Sequence, residues 1–315
     1  MQRTESQTAQ GTVCPICSRP MAVKTSPFTR FCAACDYWNA DLPVDIEDAA
    51  HPEGENGIDD RQYIASLDSL RQRNFAQILD TLEAAAGGRT LDILDVGCAS
   101  GVFMTLAIER GHHATGVEPN RPLYLSAVAR GLPVIGDYFP PAQGFGKKFD
   151  VIIFNDVFEH IPDLNTILQS CEANLVAGGL LVINLPNSDG LIFRLSRVMA
   201  FFGMTGLWNR LWQTMFRTPH LHYFNAPSLK RLLLKHSFAP VIEKKEIATV
   251  QISGFWARLA LDKTATGMLK NVVLYLGMLV LYPVISIAQK DTFYAVYRHR
   301  NQTDPVPAAN SAGGA

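Results

Sequence analysis

LDILDVGCASG, residues 91–101, decides the fold. Apolar side chains dominate from Leu91 to Val96 and then yield to a turn of small residues, Gly97-Cys98-Ala99-Ser100-Gly101. A short, nearly continuous apolar run reads as a strand covered on both faces. Glycines directly after it let the backbone turn sharply and approach a ligand closely, and the chain then enters a helix at Val102. Strand, glycine turn and helix together open an α/β unit.

The same alternation continues outward. Ala114–Val117, Pro133–Ile135, Val151–Phe154 and Leu180–Leu185 are further apolar runs. Before them, Leu67, Leu70, Phe75, Ile78 and Leu82 lie at helical intervals within Gln62–Ala85, which closes at Gly87-Gly88. Leu164, Ile167, Leu168, Cys171 and Leu175 share one helical face, and Gly178-Gly179 is expected to end that helix. A last run, Phe293–Tyr297, predicts a strand that rejoins the sheet beside Leu180–Leu185. The pattern predicts a doubly wound, mostly parallel sheet, in which ligands bind at the carboxyl ends of the strands. Asp95, Glu118, Asp137 and the pair Asn155-Asp156 stand at four such ends.

Four segments occur in order: LDILDVGCASG, then GVEPN at 116–120, FDVIIFNDVFEHIPD at 149–163 and GGLLVINLPN at 178–187. Over residues 61–300 the chain resembles the class I S-adenosylmethionine-dependent methyltransferases, whose Rossmann-like sheet has seven strands. The resemblance implies that Gly97, Ala99 and Gly101 wrap the methionine part of the cofactor and that Asp95 orients the turn and reaches the amino group. Glu118 would take the ribose hydroxyls and Asp137 the adenine amine, with Tyr138 near the ring and Asn155 and Asp156 beside the sulfonium. Ala99 departs from the pattern, because many members carry glycine there. A nicotinamide-binding domain is the rival, but its GxGxxG turn is absent here.

Methyl transfer from a sulfonium needs collinear acceptor, methyl and sulfur, and orientation of this kind supplies about 7–11 kcal/mol of the barrier. A base is required only when the acceptor carries a proton. His160, beyond the fourth strand, and His220 and His222, in PHLHYFNAP, are the candidates, with His222 favoured. Tyr223 and Asn187 are weaker candidates for lining the acceptor pocket. Glu159 and His160 read equally well as a cap of the next helix.

Residues 1–40 carry Cys14-x2-Cys17 and Cys32-x2-Cys35. Met1 to Gly11 has no apolar targeting core, so a cytoplasmic, reducing setting is expected, where paired CxxC knuckles read as the four ligands of a zinc ribbon. Cys98 and Cys171 are read as inert. Residues 1–60 hold four basic against ten acidic side chains, which disfavours nucleic acid as partner, and 41–60 reads as an acidic linker.

Residues 191–217 combine Leu207, Leu211 and Met215 at helical spacing with Trp208, Trp212 and scattered arginines, and read as a substrate lid or, at least equally, as a helical cap packed on the sheet with its arginines in water. A helical apolar insertion is expected over 250–290, in which 271–289 are uncharged and read as a buried or interfacial helix, not a span. Residues 301–315 read as a disordered tail. Peripheral membrane contact through 191–217 and 271–289 stays open. The expected function is methyl transfer to a small-molecule, glycan or lipid-linked acceptor. The alternatives are an RNA-base methyltransferase and a non-catalytic cofactor-binding or scaffold module.

Overall fold

Three short antiparallel strands come first: β1 (Ala22–Lys24), β2 (Ser26–Cys32) and β3 (Tyr37–Ala40). A computed structural model describes residues 13–44, 60–248 and 290–300, with isolated helical positions between 272 and 279. Helix α1 (Asp60–Ala86) leads into alternating elements: β4 (Asp92–Val96), α2 (Val102–Glu109), β5 (His113–Val117), α3 (Arg121–Ala129), β6 (Val134–Ile135) and β7 (Phe149–Asn155). A single 3-10 turn, Phe158–His160, precedes α4 (Leu164–Asn174) and β8 (Leu175–Pro186). Then come α5 (Leu191–Phe201), α6 (Gly206–Leu211), β9 (His222–Tyr223), α7 (Ala226–Lys235), β10 (Phe238–Glu246) and β11 (Thr292–His299).

Seven strands form one sheet in the order β10-β11-β8-β7-β4-β5-β6. Strands β8, β7, β4, β5 and β6 run parallel to one another, and β11 runs antiparallel between β8 and β10. Because successive side chains leave a strand on opposite faces, the sheet divides the core in two. Ile152, Phe154, Leu181 and Ile183 join one apolar cluster, while Val151, Ile153, Leu180 and Val182 join the other. This is the seven-stranded Rossmann-like architecture expected from the apolar runs.

Three details depart from expectation. Gly178-Gly179 does not end α4; the helix stops at Asn174, and the glycines sit where the register of β7 and β8 shifts, Gly178 with φ of +74°. A glycine pair there lets the strand bulge without steric cost. Strand β10 was unexpected, because it mixes Glu243, Lys244, Lys245 and Glu246 with few apolar residues, as an edge strand does. In the 191–217 segment Phe193, Ser196, Ala200, Trp208 and Trp212 are buried, whereas Met215 is 92% exposed, because α6 ends at Leu211 and Gln213 turns to φ of +52°.

The cysteine segment is not a separate bead. Strand β3 pairs with β9, with Trp38 opposite Tyr223 and Asn39 opposite His222. Trp38, Phe193, Trp208, Trp212 and Tyr223 form one buried aromatic cluster that joins the ribbon to α5 and α6. Most of the 41–60 linker, the apolar insertion with its 271–289 stretch, and the 301–315 tail lie outside the described residues. Among the described residues no helix is long and apolar enough to cross a membrane.

Candidate functional site

The turn after β4 is built from left-handed residues. Gly97 has φ of +68°, Ala99 +48° and Gly101 +80°. A side chain at Gly97 would strike Val157 and one at Gly101 would strike Leu132, at 2.6 and 2.1 Å, so both sites need glycine for space as well as conformation. Ala99 takes the same backbone region at a cost of about 1–2 kcal/mol.

Glu118, just past β5, is 6% exposed. Its Oε2 accepts from the Ala99 amide and its Oε1 from the Asn120 amide, each at 2.8 Å. Each oxygen keeps a second lone pair for a ligand hydroxyl. Asp95 is 2% exposed and its Oδ1 accepts from Asn155 Nδ2 at 3.4 Å, across neighbouring strands β4 and β7. Burial pushes the Asp95 carboxyl up to about 8; Asn155 opposes this and the Glu118 charge adds to it. Asn155 Oδ1 is buried and has no hydrogen-bond partner among the described residues. Asp156 follows with φ of +54°.

Asp95, Asn155, Glu118 and the glycine turn therefore meet at one sheet edge. Asp137 stands two residues past β6, but its carboxylate accepts from the amides of Tyr138 and Ala142, in its own loop. Tyr138 is 47% exposed.

The histidines part company. His222 Nε2 donates to the Ile161 carbonyl at 2.8 Å, and its Nδ1 accepts from Tyr37 Oη and Asn39 Nδ2. With both nitrogens engaged it fastens the ribbon to the body and is not placed to take a proton from an acceptor. His160 Nδ1 donates to the Pro219 carbonyl at 2.8 Å. His220 Nδ1 lies 3.1 Å from Tyr223 Oη, whose own proton goes to the Leu211 carbonyl. Burial lowers all three imidazoles, His222 to about 4 and His220 to about 3. Glu159 is fully buried between them, and burial, reinforced by Asp156, raises its carboxyl well above the usual range. Nothing but the structure separates His222 from its neighbour two residues earlier.

Cys14, Cys17, Cys32 and Cys35 bring their sulfurs within 4.8 Å of one another, with Cys17 and Cys32 Sγ 3.6 Å apart. The residue after each knuckle, Ser18 and Asp36, turns left-handed, which folds each CxxC back on itself. None of the four forms a disulfide.

A family model for the methyltransferase domain matches residues 65–243, more than half of the chain. The chain belongs to this family. It carries a methyltransferase domain. It is 30% identical over 129 residues to the ubiquinone biosynthesis O-methyltransferase of Histophilus somni, covering 38% of this chain and 54% of that one. It is 26% identical over 204 residues to the enzyme of that name from Cereibacter sphaeroides, covering 62% and 79%. The match thus spans about half the length of the Histophilus relative. Among solved structures, the 1,6-didemethyltoxoflavin-N1-methyltransferase of Burkholderia thailandensis, with bound S-adenosylhomocysteine, is 17% identical and covers 84% of this methyltransferase and 96% of its own chain at a TM-score of 0.44.

Proposed function

We propose that this methyltransferase acts on a hydroxyl of a small molecule that carries an apolar portion. The cofactor supplies an electrophilic methyl on a sulfonium; the chain's own residues bind, orient and exclude water. Asp95 and Asn155 take the ammonium, for which the orphaned Asn155 Oδ1 and the buried Asp95 carboxyl are two acceptors that no salt bridge occupies among the described residues. Glu118 takes the ribose hydroxyls through its second lone pairs, and the left-handed turn at Gly97, Ala99 and Gly101 wraps the methionine part. Asp137 and Tyr138 border the adenine, and Asp156 borders the sulfonium. The buried contact of Asp95 with Asn155, beside Glu118, is the observation that carries the cofactor assignment.

The acceptor assignment rests on the rim. In the 191–217 segment Phe201 is 84% exposed, and Phe202, Met204, Met215 and Phe216 are exposed too, as are Arg194, Arg210 and Arg217 of the same segment. Apolar rings beside arginines suit a greasy acceptor with an anionic head, or an anionic membrane surface presenting one. The O-methyltransferase names of the two relatives point the same way. The four cysteines hold zinc in this reading: tetrahedral Zn–S bonds put sulfurs about 3.8 Å apart, against 3.6 Å for Cys17 and Cys32.

Purified protein with S-adenosylmethionine and paired phenols, with and without an isoprenoid tail, tests the acceptor. Methyl ethers formed faster on the tailed member support the reading. Equal rates on both, or transfer to RNA instead, overturn it.

A further inference from the structure

Glu159, His160 and His220 form a second candidate metal set, distant in sequence from the cysteines. One ligand atom from each lies within 4.8 Å of the other two. Glu159 Oε1 is 4.0 Å from His160 Nε2 and 3.9 Å from His220 Nε2, and the two rings stand 4.8 Å apart.

The hydrogen bonds fix which atoms are available. His160 Nδ1 carries the proton given to the Pro219 carbonyl, so its Nε2 keeps a lone pair. Tyr223 spends its proton on the Leu211 carbonyl, so its oxygen accepts from His220 Nδ1, and His220 Nε2 also keeps a lone pair. Both oxygens of Glu159 are buried without a hydrogen-bond partner among the described residues. Four lone-pair atoms therefore converge, and neither Glu159 oxygen meets a donor among the described residues. A protonated Glu159 would satisfy one imidazole, but a hydroxyl-to-nitrogen bond needs about 2.7 Å, not 3.9. A water has two protons for four acceptors. A cation answers all of them at once.

The frame around the set is rigid. The Leu221 amide donates to the Glu159 carbonyl at 2.8 Å, His160 to Pro219, and His222 to Ile161. These cross-links hold the turn Phe158–His160 against residues 219–222. Outer hydrogen bonds that fix the imidazole tautomer are what metal-ligating histidines ordinarily have.

We propose that Glu159, His160 and His220 bind one divalent first-row transition ion through a carboxylate and two imidazole Nε2 atoms. Nitrogen and oxygen donors select this class over calcium or magnesium, which take oxygen alone. In a tetrahedral shell such atoms stand about 3.4 Å apart, so loading draws Glu159 Oε1 and each imidazole together by about half an ångström. The inference does not depend on the identity of the acceptor.

Cobalt(II) titration of the full chain, freed of metal under reducing conditions and followed by absorption and by equilibrium dialysis, tests it. Cobalt at the cysteines produces thiolate charge-transfer absorption; cobalt at Glu159, His160 and His220 does not. The expected result is one equivalent taken up without charge transfer, lost at least tenfold in affinity in both Glu159→Gln and His220→Ala and retained in Cys14→Ser. Uptake wholly accompanied by charge transfer overturns the proposal in the wild-type chain, whatever the variants do. Survival of the silent equivalent in folded Glu159→Gln and His220→Ala overturns it too.

Discussion

The amide of Ala99 donates to Glu118 Oε2 at 2.8 Å, so the carboxylate beyond the second parallel strand also sets the turn that follows the first. In the proposed reading one buried group thereby both shapes the loop that would wrap the cofactor and offers its remaining lone pairs to the ribose. Both duties follow from parallel pairing of β4 with β5, which puts Val96 beside Val117.

Ala99 holds a left-handed backbone that costs an alanine about 1–2 kcal/mol, part of which glycine returns as lost chain entropy. Ala99→Gly is therefore expected to stabilise the folded protein by about 0.5–1 kcal/mol. Chemical denaturation with and without the substitution measures it; destabilisation would show that the methyl group packs usefully.

Asp95 should make stability and cofactor binding depend on pH. Its folded value of about 8 lies above the unfolded carboxyl range, so the folded state holds a proton the unfolded state releases. The sign follows: its contribution is fully present below about pH 4, falls through the interval up to about 8, and is flat beyond. A cationic ligand pulls the group down, so binding should release a proton and tighten as pH rises towards 8. Calorimetry in buffers of different ionisation enthalpy reads that proton. Asp95→Asn is expected to reduce the release and to remove the Asp95 share of the fall in stability between about pH 4 and 8.

Tyr37 reaches His222 from the ribbon, and both groups are buried. Tyr37→Phe should cost about 1–3 kcal/mol, since it leaves the His222 nitrogen with only Asn39. Trp38→Ala, which empties the centre of the aromatic cluster, should cost about 3–5 kcal/mol. Limited proteolysis alongside the melts would show whether α5 and α6 loosen with the ribbon, as the shared cluster requires.

The zinc proposed at the four cysteines belongs to the same mechanical unit. Chelation is expected to lower the melting temperature and to expose the β3–β9 pair to amide exchange, because the knuckles and Tyr37 lie in the core cluster that also holds Phe224. Unchanged exchange at His222 and Tyr223 after complete chelation would separate the metal from the docking.

Much of this was legible in the residues alone. The continuous apolar runs at Leu91–Val96, Val151–Phe154 and Leu180–Leu185 marked central strands because burial on both faces leaves no room for alternation. Strand β10 escaped because an edge strand needs no such run, and β9 because two residues pairing with Tyr37–Ala40 carry no periodicity. The glycine turn, Asp95 and Glu118 were legible from their order along the chain. The separate fates of His220 and His222 were not, since two histidines two residues apart are equivalent until Tyr37 and Glu159 arrive from elsewhere. Ala99's backbone and the orphaned oxygens of Glu159 likewise exist only in three dimensions.

The most direct measurement is a calorimetric titration of S-adenosylmethionine into the wild-type chain and into Glu118→Ala at fixed pH. Single-site binding that weakens at least tenfold in a variant still folded by circular dichroism is the expected result, because a charged contact to two hydroxyls is lost. Equal affinity in the two proteins would contradict the placement of the ribose at Glu118, and with it the cofactor cleft described between β4, β5 and β7.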